Sequence, residues 1–167
     1  MRAEEKRLEL NFPATPPEAE ADPQLAQELE AALGVKPAWI GRNRFNKLVL
    51  LADLAIVRAL RPDFGRLAAI RNCWVIVTAR GDDGCDFISC FFAPQPGIPE
   101  DPVPGSRIAP WCLFGLNDCG RRVCTPARHR SARGGELWCA LVGDRVTIAG
   151  RAVTYLSGMT TAGLASE

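Results

Sequence analysis

The strongest constraint on the fold is a series of short apolar runs, none long enough for a membrane-spanning helix. They are KLVLLA (47–52), CWVIVTAR (73–80), DFISCFFAP (86–94), ELWCALV (136–142), DRVTIAG (144–150) and AVTYLS (152–157). Most are rich in β-branched or aromatic residues, and Gly, Asp or Pro lies beside them, which is the pattern of strands separated by turns. LELNF (8–12) alternates apolar and polar residues and predicts a further strand at an edge of the sheet.

Fewer helices are predicted, and the evidence for them is the residues at their ends. The segment 12–23 (FPATPPEAEADP) predicts a connecting loop, and Asp22 and Pro23 then provide the N-cap and first position of a helix that ends at Gly34. Asp53 can cap a short helix through Leu60, and helical spacing resumes after Pro62. A chain in which strands dominate and a few helices intervene belongs to the α+β class.

Charge and composition exclude several partners. The chain has 167 residues, 47% of them hydrophobic, which suits one domain of ordinary size. Twenty basic and nineteen acidic residues give a net charge of +1, so no broad field favours nucleic acid or anionic lipid. The seven cysteines are an odd number, and no stretch resembles a secretory signal, so free thiols and a cytoplasmic location are expected.

A loop near the middle of the chain is a candidate ligand site. Asp101 precedes Gly105 and Ser106, and a Gly-Ser turn ahead of a helix would present backbone N–H groups to a substrate carboxylate. The alternative from spacing alone is a proline-rich turn with a solvated acidic pair. The segment from Arg133 to Gly135 is cationic and flexible, which suits either an anion-binding cleft or an ordinary hairpin turn.

The segment 86–106, DFISCFFAPQPGIPEDPVPGS, resembles a characteristic motif of the phenazine-biosynthesis (PhzF)-like family. LNFPA (10–14), RALRPDF (58–64), VIVTARG (75–81) and SARGGEL (131–137) follow the family order. The resemblance implies a diaminopimelate-epimerase-like domain, in which a curved, mostly antiparallel sheet or barrel surrounds a central helix. It also implies that residues 1–167 form one C-terminal domain, and that an N-terminal domain carrying the catalytic acid is missing.

The same resemblance implies a cofactor-independent isomerase that moves a proton on a small carboxylated substrate. Asp101 would be the catalytic residue on this domain, paired with an acid of the missing one. The implied substrate-binding residues are Glu100, Gly105 and Ser106, with Arg133, Gly134 and Gly135 at the same cleft. No cofactor or metal is implied, and a homodimer is the family tendency.

The sequence departs from the family pattern at three places. Position 90 is Cys where Arg is usual, position 104 is Pro where Thr is usual, and residues 107–130 lack resemblance altogether. Pro110 and Gly115 make that segment a poor helix. Restoring one base after Ser106 can give SAHRTLVPFWAERL, which is similar to the family helix, so we hypothesise a frame slip across 107–130. A zinc site is the rival interpretation, but its spacing, C-x6-C-x4-C-x4-H from Cys112 to His129, matches no structural zinc pattern.

Two further readings of the chain remain open. Without the first-domain acid, the chain by itself is expected to be inactive, so it could be a non-catalytic fragment, a decayed gene product or a small-ligand binding remnant. Alternatively, the N-terminal half is a separately encoded chain that assembles with this one. Hydrogen exchange between substrate and deuterated water discriminates an isomerase from a binding remnant.

Overall fold

A computed structural model describes residues 6–44, 46–71, 74–81, 86–95, 97–101, 121–125, 135–152 and 158. The strands are β1 (Lys6–Pro13), β2 (Glu18–Ala19), β3 (Trp39–Arg42), β4 (Lys47–Leu50), β5 (Val75–Arg80), β6 (Phe87–Ala93), β7 (Ile98–Asp101), β8 (Arg121–Thr125), β9 (Gly135–Val142) and β10 (Arg145–Ala152). The helices are α1 (Pro23–Leu33), α2 (Leu54–Ala59) and α3 (Phe64–Ala69).

The described strands form one open sheet in the order β1-β10-β9-β8-β6-β5-β4-β3-β2, and β7 also pairs with β6. Only β4–β5 and β6–β8 are parallel among these pairings. The predicted α+β class with a mostly antiparallel sheet is therefore confirmed, as an open sheet and not a closed barrel. β1 lies at one end of the order, as expected of an edge strand. The predicted central helix falls on residues outside the described part of the chain.

Local sequence signals explain the helices. The Asp22 carboxylate accepts a hydrogen bond from the amide of Gln24 at 2.9 Å, Pro23 occupies the first turn, and α1 ends at Gly34 with φ 71°. Asp53 and Asp63 cap α2 and α3 in the same way. Carboxylates at N-caps satisfy amides that have no partner inside the helix, and glycine adopts the left-handed conformation without strain. The predicted helix starts and stops are confirmed.

Four short strands, β2, β3, β7 and β8, were not predicted. The expected loop 12–23 contains β2, and β7 lies in the segment predicted as a loop around Asp101. β3 begins at Trp39, whose indole ring lies so close to Gly41 that no Cβ could fit there. A strand of two or four residues carries too little periodicity to be recognised, and its partner strand decides whether it forms.

Residues 107–130, the hypothesised frame-slip segment, lie outside the described residues except for β8. The backbone of β8 pairs with both β6 and β9. For the predicted strand 152–157, Ala152 ends β10 and the remainder lies outside the described residues. The frame slip stays a prediction.

The two faces of the sheet bury different clusters because successive strand residues alternate. On β6, Ile88, Cys90 and Phe92 pack in a large cluster that includes residues of α1, α2 and α3. Phe91 and Ala93 belong to a cluster on the opposite face. We call these the helix face and the second face. The Cys at position 90, one of the family departures, is thus 4% exposed on the helix face, where a small apolar thiol suits the packing.

The second face continues across the sheet to its far end. Phe87 is opposite residue 123 of β8, and residue 123 is opposite Leu137 of β9. Paired residues share a face, so Leu137 and Ile148, which pack in another buried cluster, lie on the second face as well. None of the three described helices contributes to either cluster on this face.

Candidate functional site

Two strands end against the same stretch of β6. β7 is antiparallel to β6 and ends with Asp101 opposite Phe91. β8 is parallel to β6, with residue 124 opposite Ile88, and ends one residue later. The carboxyl ends of β7 and β8 therefore approach each other along residues 89–91 of β6, and we call this place the β7–β8 junction. Ligands often bind in α/β proteins where neighbouring strands end, so the β7–β8 junction is the candidate site.

The predicted catalytic residue, Asp101, lies at the junction, where the predicted binding loop begins. Asp101 is half-buried and shares the second face with Phe91. Glu100 is also half-buried, and it lies in the part of β7 where the pairing with β6 shifts register. Gly105 and Ser106 lie outside the described residues, but Gly105 is only four positions after Asp101, and four positions of extended chain span at most about 14 Å.

The second predicted segment reaches the other side of the junction. Gly135 is the first residue of β9 and pairs with Thr125, the last residue of β8. Since neighbouring strands are about 4.8 Å apart, Gly135 lies two strands, or roughly 10 Å, from β6. Arg133 and Gly134 lie outside the described residues. The fold thus brings the backbone of Gly135 to the same region as Asp101 across 34 residues of sequence.

Two buried hydroxyl residues face each other beside the junction, and sequence reasoning missed both. Thr78 of β5 is opposite Ser89 of β6. Thr78 is 0% exposed and its Oγ1 donates a hydrogen bond to the Ile88 carbonyl at 2.7 Å. Ser89 is 3% exposed and its Oγ has no hydrogen-bond partner within the described part of the chain. The available signal was a single serine among the apolar residues of DFISCFFAP.

Among the described residues, one carboxyl group has a clearly shifted pKa, and it lies away from the β7–β8 junction. Glu20 accepts a hydrogen bond from Lys47 Nζ at 3.1 Å and lies 3.7 Å from Arg42 Nε. The hydrogen bond from Lys47 is the main reason that the pKa of Glu20 falls below its ordinary value, and partial burial opposes it. These ion pairs join the end of β2 to β3 and β4, and β2 is the edge strand four strands from β6. We therefore assign them to the stability of the sheet and not to the junction.

No group of three or more His, Cys, Asp and Glu side chains is placed for a metal ion among the described residues. Of the four residues considered for zinc, Cys112, Cys119 and His129 lie outside the described ranges, and only the backbone of residue 124 is described. Within those ranges no helix is long and apolar enough to cross a membrane.

The fold is similar to that of PhzF-family proteins of known structure. A crystal structure of a PhzF-family phenazine biosynthesis protein from Enterococcus faecalis superposes with a TM-score of 0.78 at 36% identity, covering 93% of this chain and 57% of that one. A PhzC/PhzF protein from Clostridium difficile gives a TM-score of 0.76 at 26% identity, covering 93% and 58%.

The sequence matches the family described as phenazine biosynthesis-like protein over residues 2–158, and the chain belongs to that family. An uncharacterised isomerase of Pseudomonas aeruginosa is 46% identical over 158 residues, which are 93% of this chain and 58% of that protein. A second uncharacterised isomerase of the same organism is 37% identical, covering 95% and 59%. The resemblance read from the motifs is confirmed, and the chain spans a little more than half the length of these relatives.

Proposed function

We propose that this chain supplies one side of the active site of an isomerase that moves a proton within a small carboxylated substrate and needs no cofactor. The observation that carries the proposal is the placement of Asp101 at the end of β7, half-buried at the β7–β8 junction. A carboxylate in such a position can accept a proton from carbon or return one. Family membership and the isomerase names of two relatives support the reaction class.

The substrate carboxylate is assigned to the loop that leaves the junction. Gly105 and Ser106 would donate backbone N–H groups to it, because a Gly-Ser turn lets the chain approach an anion closely. Glu100 lies beside Asp101, and Arg133 with Gly134 and Gly135 would neutralise the anion from the other side. The position of Gly135 opposite the end of β8 is consistent with that arrangement.

The proposed chemistry pairs Asp101 with a second acid from another domain. The chain spans 58% of the length of the Pseudomonas relative, so the remainder of that protein is the natural source of the partner group. In the proposed enzyme it is an N-terminal domain or a separately encoded half, which closes over the junction. By itself, this chain would bind the carboxylate and not exchange the proton.

The test is a chimera in which the unmatched remainder of the Pseudomonas relative is fused ahead of this chain. The protein is incubated in D2O, with a chelator and no added coenzyme, with small carboxylic acids that carry a C–H beside a carbonyl or double bond. NMR then measures deuterium incorporation. We expect exchange in at least one acid, and a loss of about 100-fold or more in Asp101→Asn, since a positioned acid–base group contributes that much.

The matched control is Asp144→Asn, the same carboxylate-to-amide change at an exposed turn between β9 and β10. It should exchange at the rate of the parent chimera. If Asp101→Asn exchanges as fast as Asp144→Asn, Asp101 has no catalytic role. If the folded chimera exchanges no acid in the panel, the isomerase proposal is rejected.

The second candidate is a binding remnant without turnover, in which the β7–β8 junction binds a carboxylic acid but exchanges no proton. The same samples distinguish the two. A remnant would show saturable binding of a carboxylic acid by the chain, with no deuterium incorporation in either the chain or the chimera.

A further inference from the structure

The Ser89 hydroxyl is an anomaly in the free chain. Ser89 is 3% exposed, and its Oγ lacks a hydrogen-bond partner within the described residues. A buried hydroxyl without a partner loses its bonds to water and gains nothing in return, at a cost of roughly 1–3 kcal/mol. An alanine at this position would avoid that cost. Buried polar groups that stay unsatisfied are uncommon and call for an explanation.

The hydroxyl opposite Ser89, that of Thr78, does have a hydrogen-bond partner although it is buried in the same part of the sheet. Thr78 lies directly opposite Ser89, is more deeply buried, and its Oγ1 donates to the Ile88 carbonyl. The buried polar residues of the described chain are Asn46, Thr78 and Ser89, and only Ser89 has an unsatisfied side-chain atom. Among these buried polar residues, the free-energy cost of an unpaired hydrogen-bonding group therefore falls on the Ser89 hydroxyl alone.

Ser89 also lies close to Asp101, where the proposed substrate would bind. It lies on β6 two residues before Phe91, the partner of Asp101, so Ser89 and Asp101 share the second face. Diagonal neighbours of this kind have Cβ atoms about 7 Å apart, which leaves room for one ligand group between the two side chains. Asp101 accepts from such a group, while a serine hydroxyl can donate to an oxygen on its other side.

We propose that Ser89 is a substrate-binding residue, whose hydroxyl donates a hydrogen bond to a carboxylate or carbonyl oxygen held beside Asp101. The inference rests on the proposed function, since it takes the ligand class from it. Because the Ser89 hydroxyl is buried, the substrate oxygen must displace the atoms that cover Oγ in the free chain. It then meets a hydroxyl that has no other hydrogen-bond partner within the described residues. A hydrogen bond made in such a dry place is stronger than the same bond in water.

The test uses benzoate, a small unreactive carboxylate, titrated into the 167-residue chain by NMR. The variants are Ser89→Ala, which removes the hydroxyl, and Ser89→Thr, which keeps it. Thr78→Ser, which changes the opposite residue and also keeps its hydroxyl, is the control. We expect the benzoate Kd to rise at least tenfold in Ser89→Ala, to recover within about threefold in Ser89→Thr, and to stay unchanged in Thr78→Ser, as the loss of a hydrogen bond to a charged group predicts.

An unchanged Kd in Ser89→Ala, or the absence of saturable benzoate binding by the parent chain at millimolar concentrations, overturns the inference. The isomerase proposal is judged separately by deuterium incorporation in the chimera. If benzoate binding depends on Ser89 but no acid exchanges, the binding role stands and the reaction is wrong. If the chimera exchanges label and Ser89→Ala binds benzoate as the parent does, the reaction stands and the Ser89 role is wrong.

Discussion

The paired hydroxyls of Thr78 and Ser89 should respond to removal with opposite signs. Thr78→Val removes a hydrogen bond of 2.7 Å to the Ile88 carbonyl from a site that is 0% exposed. The loss of one such bond costs about 1 kcal/mol. Ser89→Ala instead removes an oxygen that has no partner within the described residues. The recovered desolvation cost, roughly 1–3 kcal/mol, exceeds the small loss of packing around one atom, so a gain of about 1 kcal/mol is expected.

Urea denaturation followed by circular dichroism measures both changes as shifts in midpoint at constant slope. For a chain of 167 residues, 1 kcal/mol moves the thermal midpoint by about 2–5 °C, which is readily resolved. A Ser89→Ala variant that loses as much stability as Thr78→Val would refute the reasoning, because it would mean that the serine hydroxyl is satisfied in solution. A variant that gains stability and loses benzoate affinity would show the trade expected at a binding site.

Three further predictions concern the sheet edge, the core and the gene. Glu20→Gln should destabilise the chain at neutral pH, because a carboxylate whose pKa is lowered in the folded state stabilises that state at pH values above its unfolded pKa. In urea titrations the difference from the parent should shrink and vanish as pH falls through the lowered folded pKa, and a difference that persists in acid would contradict this. Phe92→Ala, at a 0% exposed site, should cost about 3–5 kcal/mol in the same titration, and a cost under 1 kcal/mol would show that the helix face is loosely packed. Resequencing codons 107–130 should give a family-like peptide in an alternate frame, and the slip hypothesis fails if neither alternate frame does.

The sequence alone determined the class of the fold and its local elements. Apolar runs flanked by turn residues located β4, β5, β6, β9 and β10, and Asp22 and Asp53 with Gly34 located helix ends. These signals are local, since a cap or an alternating strand is encoded within a few residues. The motif around Asp101 also identified the family and the candidate catalytic residue.

Only the tertiary structure decided how these elements meet. The parallel pairing of β6 with β8 joins residues more than 30 positions apart, and no local periodicity encodes such a pairing. That pairing creates the β7–β8 junction and brings Gly135 towards Asp101, while the pairing of β7 with β6 places Ser89 on the same face as Asp101. Whether a serine hydroxyl is satisfied depends on every neighbour that surrounds it, so the composition of DFISCFFAP could not show that Ser89 lacks a partner.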